Sequence, residues 1–274
     1  MKIKLITILF FALLCGNSFA QSSSTTVIEL MEKSGSTAMF KQFDEIISAK
    51  IAEKKSSFEK GEDFNKFVTV MKSGFNSKNA EKYYLEYFEL NTREDSLKSI
   101  IHIYESQFMQ DMNKIELAAS DPAKQQEQLI YFQGLKENPP SPERVQQLIT
   151  LNNELGISEM TVKILQNMII TMSQGLNSVQ PKDKQMSPAE LEQKILSSMP
   201  ANFSEQMTNQ IIALSMFTYK DVSNEDLNRY IQVWQTPTGK YFTKNSLEAL
   251  NYSFSKLGEI IGKSLDVFVK ENQK

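Results

Sequence analysis

Apolar residues recur along most of this chain at the three- and four-residue spacing of amphipathic helices. One stripe comprises Met39, Phe43, Ile47 and Ile51, and a second comprises Leu247, Leu250, Phe254, Leu257, Ile261 and Phe268. The spacing of the second stripe is typical of a helix packed nearly parallel to a neighbour. We find no alternating run of strand length, so the pattern predicts an all-α fold, a helical bundle.

A proline-rich segment divides this helical pattern into two parts. Residues 139–142 read Pro-Pro-Ser-Pro, and proline cannot continue a helix because it lacks the amide donor and clashes with the preceding turn. We therefore predict a linker at 139–142 between a first helical repeat, 27–138, and a second repeat, 143–272.

Smaller breaks within the two repeats also suit helices. The polar segment 179–187 predicts a connector, and Ser187 followed by Pro188 fits an N-cap and a first-turn proline. Thr92, Ser223 and Thr236 are further predicted caps, because their hydroxyl oxygens can accept hydrogen bonds from free helix amides.

The two repeats resemble each other in the order of their apolar positions. At an offset of 121 residues, Leu30, Gly35, Met39, Phe43, Ile47 and Ile51 fall on Leu151, Gly156, Met160, Ile164, Met168 and Met172. At an offset of 130 residues, Tyr84, Tyr87, Leu97, Ile101 and Tyr104 fall on Leu214, Phe217, Leu227, Ile231 and Trp234. We predict two related helical halves that arose by duplication, packed as a compact bundle or as two subdomains. Chance register between amphipathic helices is the alternative.

The N-terminal residues have the pattern of an export signal. Two lysines precede a short apolar run, and Ser18-Phe19-Ala20 supplies the small residues that a signal peptidase cuts after. We predict a signal peptide at 1–20, cleavage near Ala20, a polar tether at 21–26, and a periplasmic or secreted protein. The apolar run is too short for a membrane span, and acylation at Cys15 is a minor alternative because Leu14 precedes it.

Charge is mixed along the chain, as on a solvated helical surface. The 30 basic and 33 acidic side chains give a formal net charge of −3. The chain has no cluster of basic residues that would indicate nucleic acid or an anionic membrane as a partner.

Residues in the second half resemble a bacterial exported family. An acidic helix start at Ser223-Asn224-Glu225-Asp226-Leu227 leads to Tyr230 and Trp234, and then to Thr236-Pro237-Thr238-Gly239-Lys240. This order resembles domain of unknown function 2059, best over residues 186–263. The resemblance implies a helical envelope or secreted protein and carries no activity. In the first half the turn positions read Ser106-Gln107-Phe108-Met109-Gln110, without proline and glycine, which allows a continuous helix there.

The segment Thr236–Lys240 also has a purely structural interpretation. Thr236 would cap a helix, Pro237 would occupy its first position, Gly239 would permit close packing, and Lys240 would face outward. An anion site at this helix N-terminus is the alternative. The glycine spacing of a phosphate loop is missing, and proline removes one amide donor, so we favour the structural role.

Few residues suit catalysis. The one histidine is His102, and the one cysteine, Cys15, lies in the predicted signal peptide, so thiol nucleophiles and Cys/His zinc sites are excluded. The carboxylate pairs Glu94-Asp95 and Glu225-Asp226 stand in predicted first turns, where negative charge complements the helix dipole. We predict no catalytic residue, metal site or cofactor, with a carboxylate-only enzyme as an alternative.

Methionine is abundant, with 13 residues in the chain. Met109 and Met112 lie at helix-face spacing downstream of His102, and thioethers can bind copper(I). Because methionine commonly fills irregular helical cores and no dense cluster occurs, we favour core packing.

The leading functional hypothesis is a non-enzymatic helical protein that binds another envelope protein. Tyr230 and Trp234 share a helix face and are the first candidates for a binding surface, together with the turn at Thr236, Pro237, Gly239 and Lys240. The alternative is a carrier that holds an apolar small molecule or lipid between the helical halves. The sequence does not specify the oligomeric state.

Overall fold

The computed structural model describes residues 24–53, 55–57, 61–178 and 182–272. All regular structure within these ranges is helical, with no strand, which confirms the predicted all-α fold. The predicted signal peptide, 1–20, lies outside the described residues. No helix of the described ranges combines the length and the apolar character needed to cross a bilayer.

The described helices follow one another with short connections. Those of the first half are α1 (Ser24–Lys33), α2 (Ser36–Glu53), α3 (Gly61–Gly74), α4 (Ser77–Asn91), α5 (Glu94–Tyr104), α6 (Gln107–Ala119) and α7 (Gln125–Gly134). Those of the second half are α8 (Pro142–Leu155), α9 (Ile157–Ser178), α10 (Pro188–Ser198), α11 (Phe203–Thr218), α12 (Asn224–Gln235) and α13 (Pro237–Asn272). Short 3₁₀ turns lie at Lys55–Ser57, Pro122–Lys124 and Lys182–Lys184.

The two halves share one hydrophobic core. Its buried residues come from both sides of the proline-rich segment, and α13 packs along α9 of its own half and along α3 and α4 of the first half. Leu257 and Ile261 of α13 are fully buried, as the predicted seam requires, and the buried Ser253 hydroxyl donates to the Ala80 carbonyl oxygen at 2.8 Å. The packing is therefore that of one compact bundle.

Two glycines turn the chain in equivalent places of the two halves. Gly35 follows α1 with φ +78°, and Gly156 follows α8 with φ +62°. This left-handed conformation is unfavourable for residues with a Cβ, which explains a glycine after each short helix. The predicted glycine breaks are confirmed.

The later helices of the two halves also begin in register. α5 and α12 start at Glu94 and Asn224, and α6 and α13 start at Gln107 and Pro237. Both pairs of starts have the offset of 130 residues that the apolar positions predict. The equal spacing supports the duplication, which itself stays a prediction.

Three local predictions differ from the structure. Residues 24–26, placed in the polar tether, form the first turn of α1, where Thr26 is buried and its hydroxyl donates to Glu94 Oε1 at 2.5 Å. Thr92 does not cap α5; it is the C-cap residue of α4, and its hydroxyl donates to the Phe88 carbonyl oxygen. Met39 is 44% exposed, although it begins a predicted apolar stripe.

The turn between α5 and α6 is present despite its missing proline and glycine. Ser106 accepts a hydrogen bond from the Met109 amide at 3.4 Å and caps α6 in their place. A continuous helix through 104–110 is therefore wrong. The remaining predicted caps, Ser187, Ser223 and Thr236, are confirmed by hydrogen bonds to the amides three residues later.

Candidate functional site

A cavity of about 480 Å³ lies where helices of the two halves meet. Its walls come from α5, α6 and α7 of the first half and from α11, α12 and α13 of the second, with Leu155 and Ile157 contributed by the α8–α9 junction. Ser120 and Leu214 line the cavity and are both exposed, so the cavity opens to the surface at that side.

Five aromatic rings form a continuous wall of this cavity: Tyr104, Tyr219, Tyr230, Trp234 and Phe242. The ring centroids of Trp234 and Phe242 are 6.0 Å apart and the rings are stacked, whereas Tyr230 meets Trp234 edge to face at 5.5 Å. Tyr104 contacts both Trp234 and Phe242, with centroid distances of 6.2 Å and 5.8 Å. Because each ring is held by its neighbours, the wall is preformed.

One acid lies within this wall. Glu116 Oε1 accepts two hydrogen bonds of 2.7 Å, one from the Tyr219 phenol and one from the Tyr230 phenol. Burial raises the pKa of Glu116 above its usual range, and the two phenol hydrogen bonds oppose that rise. Burial and the nearby charge of Glu116 raise the pKa of Tyr219 and Tyr230 well above the ordinary phenol value.

The residues that line the cavity include two with a buried polar atom that has no hydrogen-bond partner in the described structure. The two atoms are Trp234 Nε1 and Thr243 Oγ1, and their residues are 2% and 8% exposed. A buried donor without a partner costs about 1–3 kcal/mol, so such groups are uncommon in folded proteins. Both atoms are covered by neighbouring protein atoms, so the candidate site is marked instead by its volume and its aromatic and aliphatic lining.

Tyr230 and Trp234 do not form the exposed surface proposed for them. Each is only 2% exposed, because they lie with Leu227 and Ile231 on the apolar face of α12 that packs into the core. The sequence pattern correctly places them on one face, but that face points inward. In the structure they line the cavity instead.

The turn after α12 has the structural role predicted for it. The Thr236 hydroxyl accepts from the Gly239 amide at 3.0 Å, and Pro237 is the first residue of α13. A Cβ on Gly239 would lie 2.3 Å from the Val233 carbonyl oxygen, so only glycine fits there. Lys240 is exposed and lies 4.0 Å from Glu154. With proline at one position and the Gly239 amide already bonded, fewer free amides remain for an anion.

The carboxylate pairs lie at helix starts, as the sequence predicts. Glu94 forms an ion pair with Lys98 at 3.3 Å, and Asp226 accepts from the Ser223 hydroxyl at 2.8 Å. Asp95 and Glu225 are exposed. Each pair thus has a local structural role, and neither lines the cavity with the aromatic wall.

The histidine and methionine candidates separate in the structure. The His102 side chain is 86% exposed and bonds to Glu105 at 3.1 Å, whereas Met109 and Met112 are buried in the core. This placement fits core packing by the methionines. Among the described residues, no group of three or more His, Cys, Asp or Glu side chains is arranged to hold a metal.

Sequence reasoning missed Glu116 and Thr243. The only sequence signal for Glu116 is its position as a single acid in the apolar run from Ile115 to Ala119. That signal does not indicate burial, because a charged residue in a helix usually faces solvent. Thr243 is one of several polar residues of α13, and no sequence feature distinguishes it from the others.

Known proteins give no further guide to the cavity. No family model, no curated protein and no solved structure matches this chain.

Proposed function

We propose that this protein binds a small, largely apolar molecule in the cavity between its two halves. The observation that carries the proposal is the cavity itself, about 480 Å³ in volume and lined mainly by aromatic and aliphatic side chains with a few polar groups. Ligand sites typically have a volume of about 300–1,000 Å³, apolar walls and a few polar groups that orient the ligand. The cavity has each of these properties.

The proposed role is binding rather than catalysis. Glu116 has its Oε1 bonded to two phenols, and His102 lies outside the cavity wall. No nucleophile and base are paired within the wall as described. A carrier needs only a preformed pocket, which the aromatic rings supply.

The proposed place of action is the periplasm or the medium. The pattern at 1–20 supports export and cleavage near Ala20. The order of residues from Ser223 to Lys240 supports membership of the exported family domain of unknown function 2059. Both assignments agree with a carrier that works outside the cytoplasm.

Binding to another envelope protein is the second candidate function. Leu129 and Ile130 of α7 are 51% and 60% exposed, and no residue of α7 is buried. Neighbouring exposed apolar side chains are a common feature of protein-binding surfaces. A photocrosslinker at position 130 should then capture a partner in intact cells, whereas one at the exposed position 192 should not.

Native mass spectrometry of residues 21–274, purified gently from the host, tests the carrier directly. We expect a bound mass of metabolite or lipid size. A neutral apolar dye, N-phenyl-1-naphthylamine, gives a second test: dye binding should be lost on Ala119→Trp, which fills the cavity.

The matched control is Ala123→Trp, which adds the same side chain at an exposed position outside the cavity. Its melting temperature and dye binding should match those of the wild type. If Ala119→Trp binds the dye as well as Ala123→Trp does, the cavity is not the binding site.

A further inference from the structure

Glu116 is the only formally charged side chain among the residues that line the cavity with the aromatic wall. Its Oε1 accepts from the two phenols, and no lysine, arginine or histidine faces it from the other lining helices. Ionised carboxylates in protein interiors are normally paired with a positive charge. The protein itself supplies none within the cavity.

The aromatic wall favours the same type of partner. Tyr219 and Tyr230 bond to the acid, and three more aromatic residues line the same cavity: Tyr104, Trp234 and Phe242. The faces of such rings carry negative electrostatic potential. Aromatic rings with a nearby carboxylate bind alkylated ammonium groups, whose charge is spread over apolar methyl groups. The aliphatic side chains of the same cavity would pack against those methyl groups.

Other charged ligands fit the cavity less well. A fatty acid would place its carboxylate near that of Glu116, and like charges repel. A calcium ion requires six to eight oxygen ligands, usually with several carboxylates, whereas Glu116 is the only carboxylate among the residues that line this cavity. A primary ammonium group is compact and strongly hydrated, so it gains less from the aromatic rings than an alkylated ammonium group does.

We propose that the cavity binds an organic cation: a tertiary or quaternary ammonium group against Glu116 and the aromatic wall, with an apolar substituent along the aliphatic side chains. This inference rests on the proposed ligand-binding function and specifies the class of ligand.

The test compares two probes of nearly the same shape. Butyrylcholine carries a trimethylammonium group, and 3,3-dimethylbutyl butanoate replaces its nitrogen with carbon and is neutral. Both carry the ester oxygen and the apolar chain. The protein, residues 21–274, is freed of bound ligand by mild unfolding and refolding, and binding is then measured by isothermal titration calorimetry. Trp234 is the only tryptophan of the chain, so tryptophan fluorescence gives a second readout.

We expect the cation to bind at least about tenfold more tightly than the neutral ester, since it adds a charge-assisted contact and ring contacts. Glu116→Gln keeps an oxygen for the two phenols and removes the charge, so it should abolish the preference. The control is Glu192→Gln at an exposed position, which should retain it. The melting temperature and dye binding show that each variant is folded.

The outcomes separate the two proposals. The organic-cation inference is overturned, and the apolar carrier stands, if N-phenyl-1-naphthylamine binds but butyrylcholine shows no advantage over the neutral ester. That result includes equal binding of the two esters, tighter binding of the neutral ester, and binding of neither ester. If the Glu116→Gln variant keeps the preference for the cation, the inference is also overturned. If neither the dye nor either ester binds the wild-type protein, the carrier function itself is wrong.

Discussion

The Tyr230 phenol donates to Glu116 Oε1 across 2.7 Å and so joins α12 of the second half to α6 of the first. The Tyr219 phenol makes an equal bond to the same oxygen. The acid is therefore oriented by residues distant in sequence. This arrangement leads to measurable effects on stability and on pH dependence.

Replacing either phenol should destabilise the protein. Tyr230→Phe leaves a carboxylate oxygen with one donor fewer in a buried site, and a hydrogen bond to a charged group contributes about 1.5–3 kcal/mol. We expect a loss of that order in the free energy of unfolding, measured by urea denaturation. The matched control is Tyr252→Phe, which removes a phenol bonded to Glu86 nearer the surface and should change stability by less than about 1 kcal/mol. Equal effects of the two changes would contradict the structural role of Tyr230.

The pH dependence of stability should show the raised pKa of Glu116. Burial favours its protonated form, so the folded protein holds this proton to a higher pH than the unfolded chain does. Its contribution to stability is complete below the ordinary pKa of 4.5 and is lost as the pH rises through the raised value. Relative to the wild type, Glu116→Gln should therefore gain stability as the pH rises from 4 to 8.

The comparison of the two proteins isolates this residue from other acids. Glu127 bonds to Lys124 and Lys220, which lower its pKa to about 2, so it changes stability in the opposite direction and at lower pH. Glu127 is present in both proteins and cancels from the difference. A stability difference that does not vary with pH would exclude a raised pKa at Glu116.

Much of the fold follows from local sequence features. Helical spacing of apolar residues, the positive-φ glycines Gly35 and Gly156, and the caps at Ser187 and Ser223 depend on neighbouring residues alone, and all agree with the structure. The turn at Ser106 was not recognised because a serine cap replaces the proline and glycine of its counterpart. Local physics thus accounts for the helices and for most of their ends.

The cavity could not be predicted in the same way. Glu116, Tyr230 and Thr243 lie on three helices that meet only when the bundle packs, so no spacing along the chain brings them together. The periodicity of α12 shows that Tyr230 and Trp234 share a face. Whether that face meets solvent or a cavity depends on α6 and α13, which pack against it from elsewhere in the sequence.

Gly239 should tolerate no side chain. A Cβ there would lie 2.3 Å from the Val233 carbonyl oxygen and 2.8 Å from the Trp234 Cα, and both are backbone atoms that cannot rotate away. We expect Gly239→Ala to lower the free energy of unfolding by about 1–3 kcal/mol or more, because the chain must shift. Gly134→Ala is the control: no atom lies within 4 Å of its Cβ position, so it should be neutral or mildly stabilising. The reverse order of stability would refute the close packing at Gly239.

Gly156 and Leu247 should show energetic coupling. Alanine at Gly156 would be destabilised by two effects: backbone strain, because φ is +62°, and a close contact, because its Cβ would lie 2.9 Å from Leu247 Cδ1. Leu247→Ala removes that contact but not the backbone strain. Gly156→Ala should therefore destabilise the wild type more than it destabilises the Leu247→Ala variant, by about 0.5–3 kcal/mol in a double-mutant cycle. Gly35→Ala is the comparison for strain alone, because φ there is +78° and its Cβ would meet Leu117 at an ordinary 3.4 Å. Urea denaturation measures the free energy of unfolding of each single variant and of the double variant. If the effects of Gly156→Ala and Leu247→Ala are strictly additive, the side-chain contact contributes nothing.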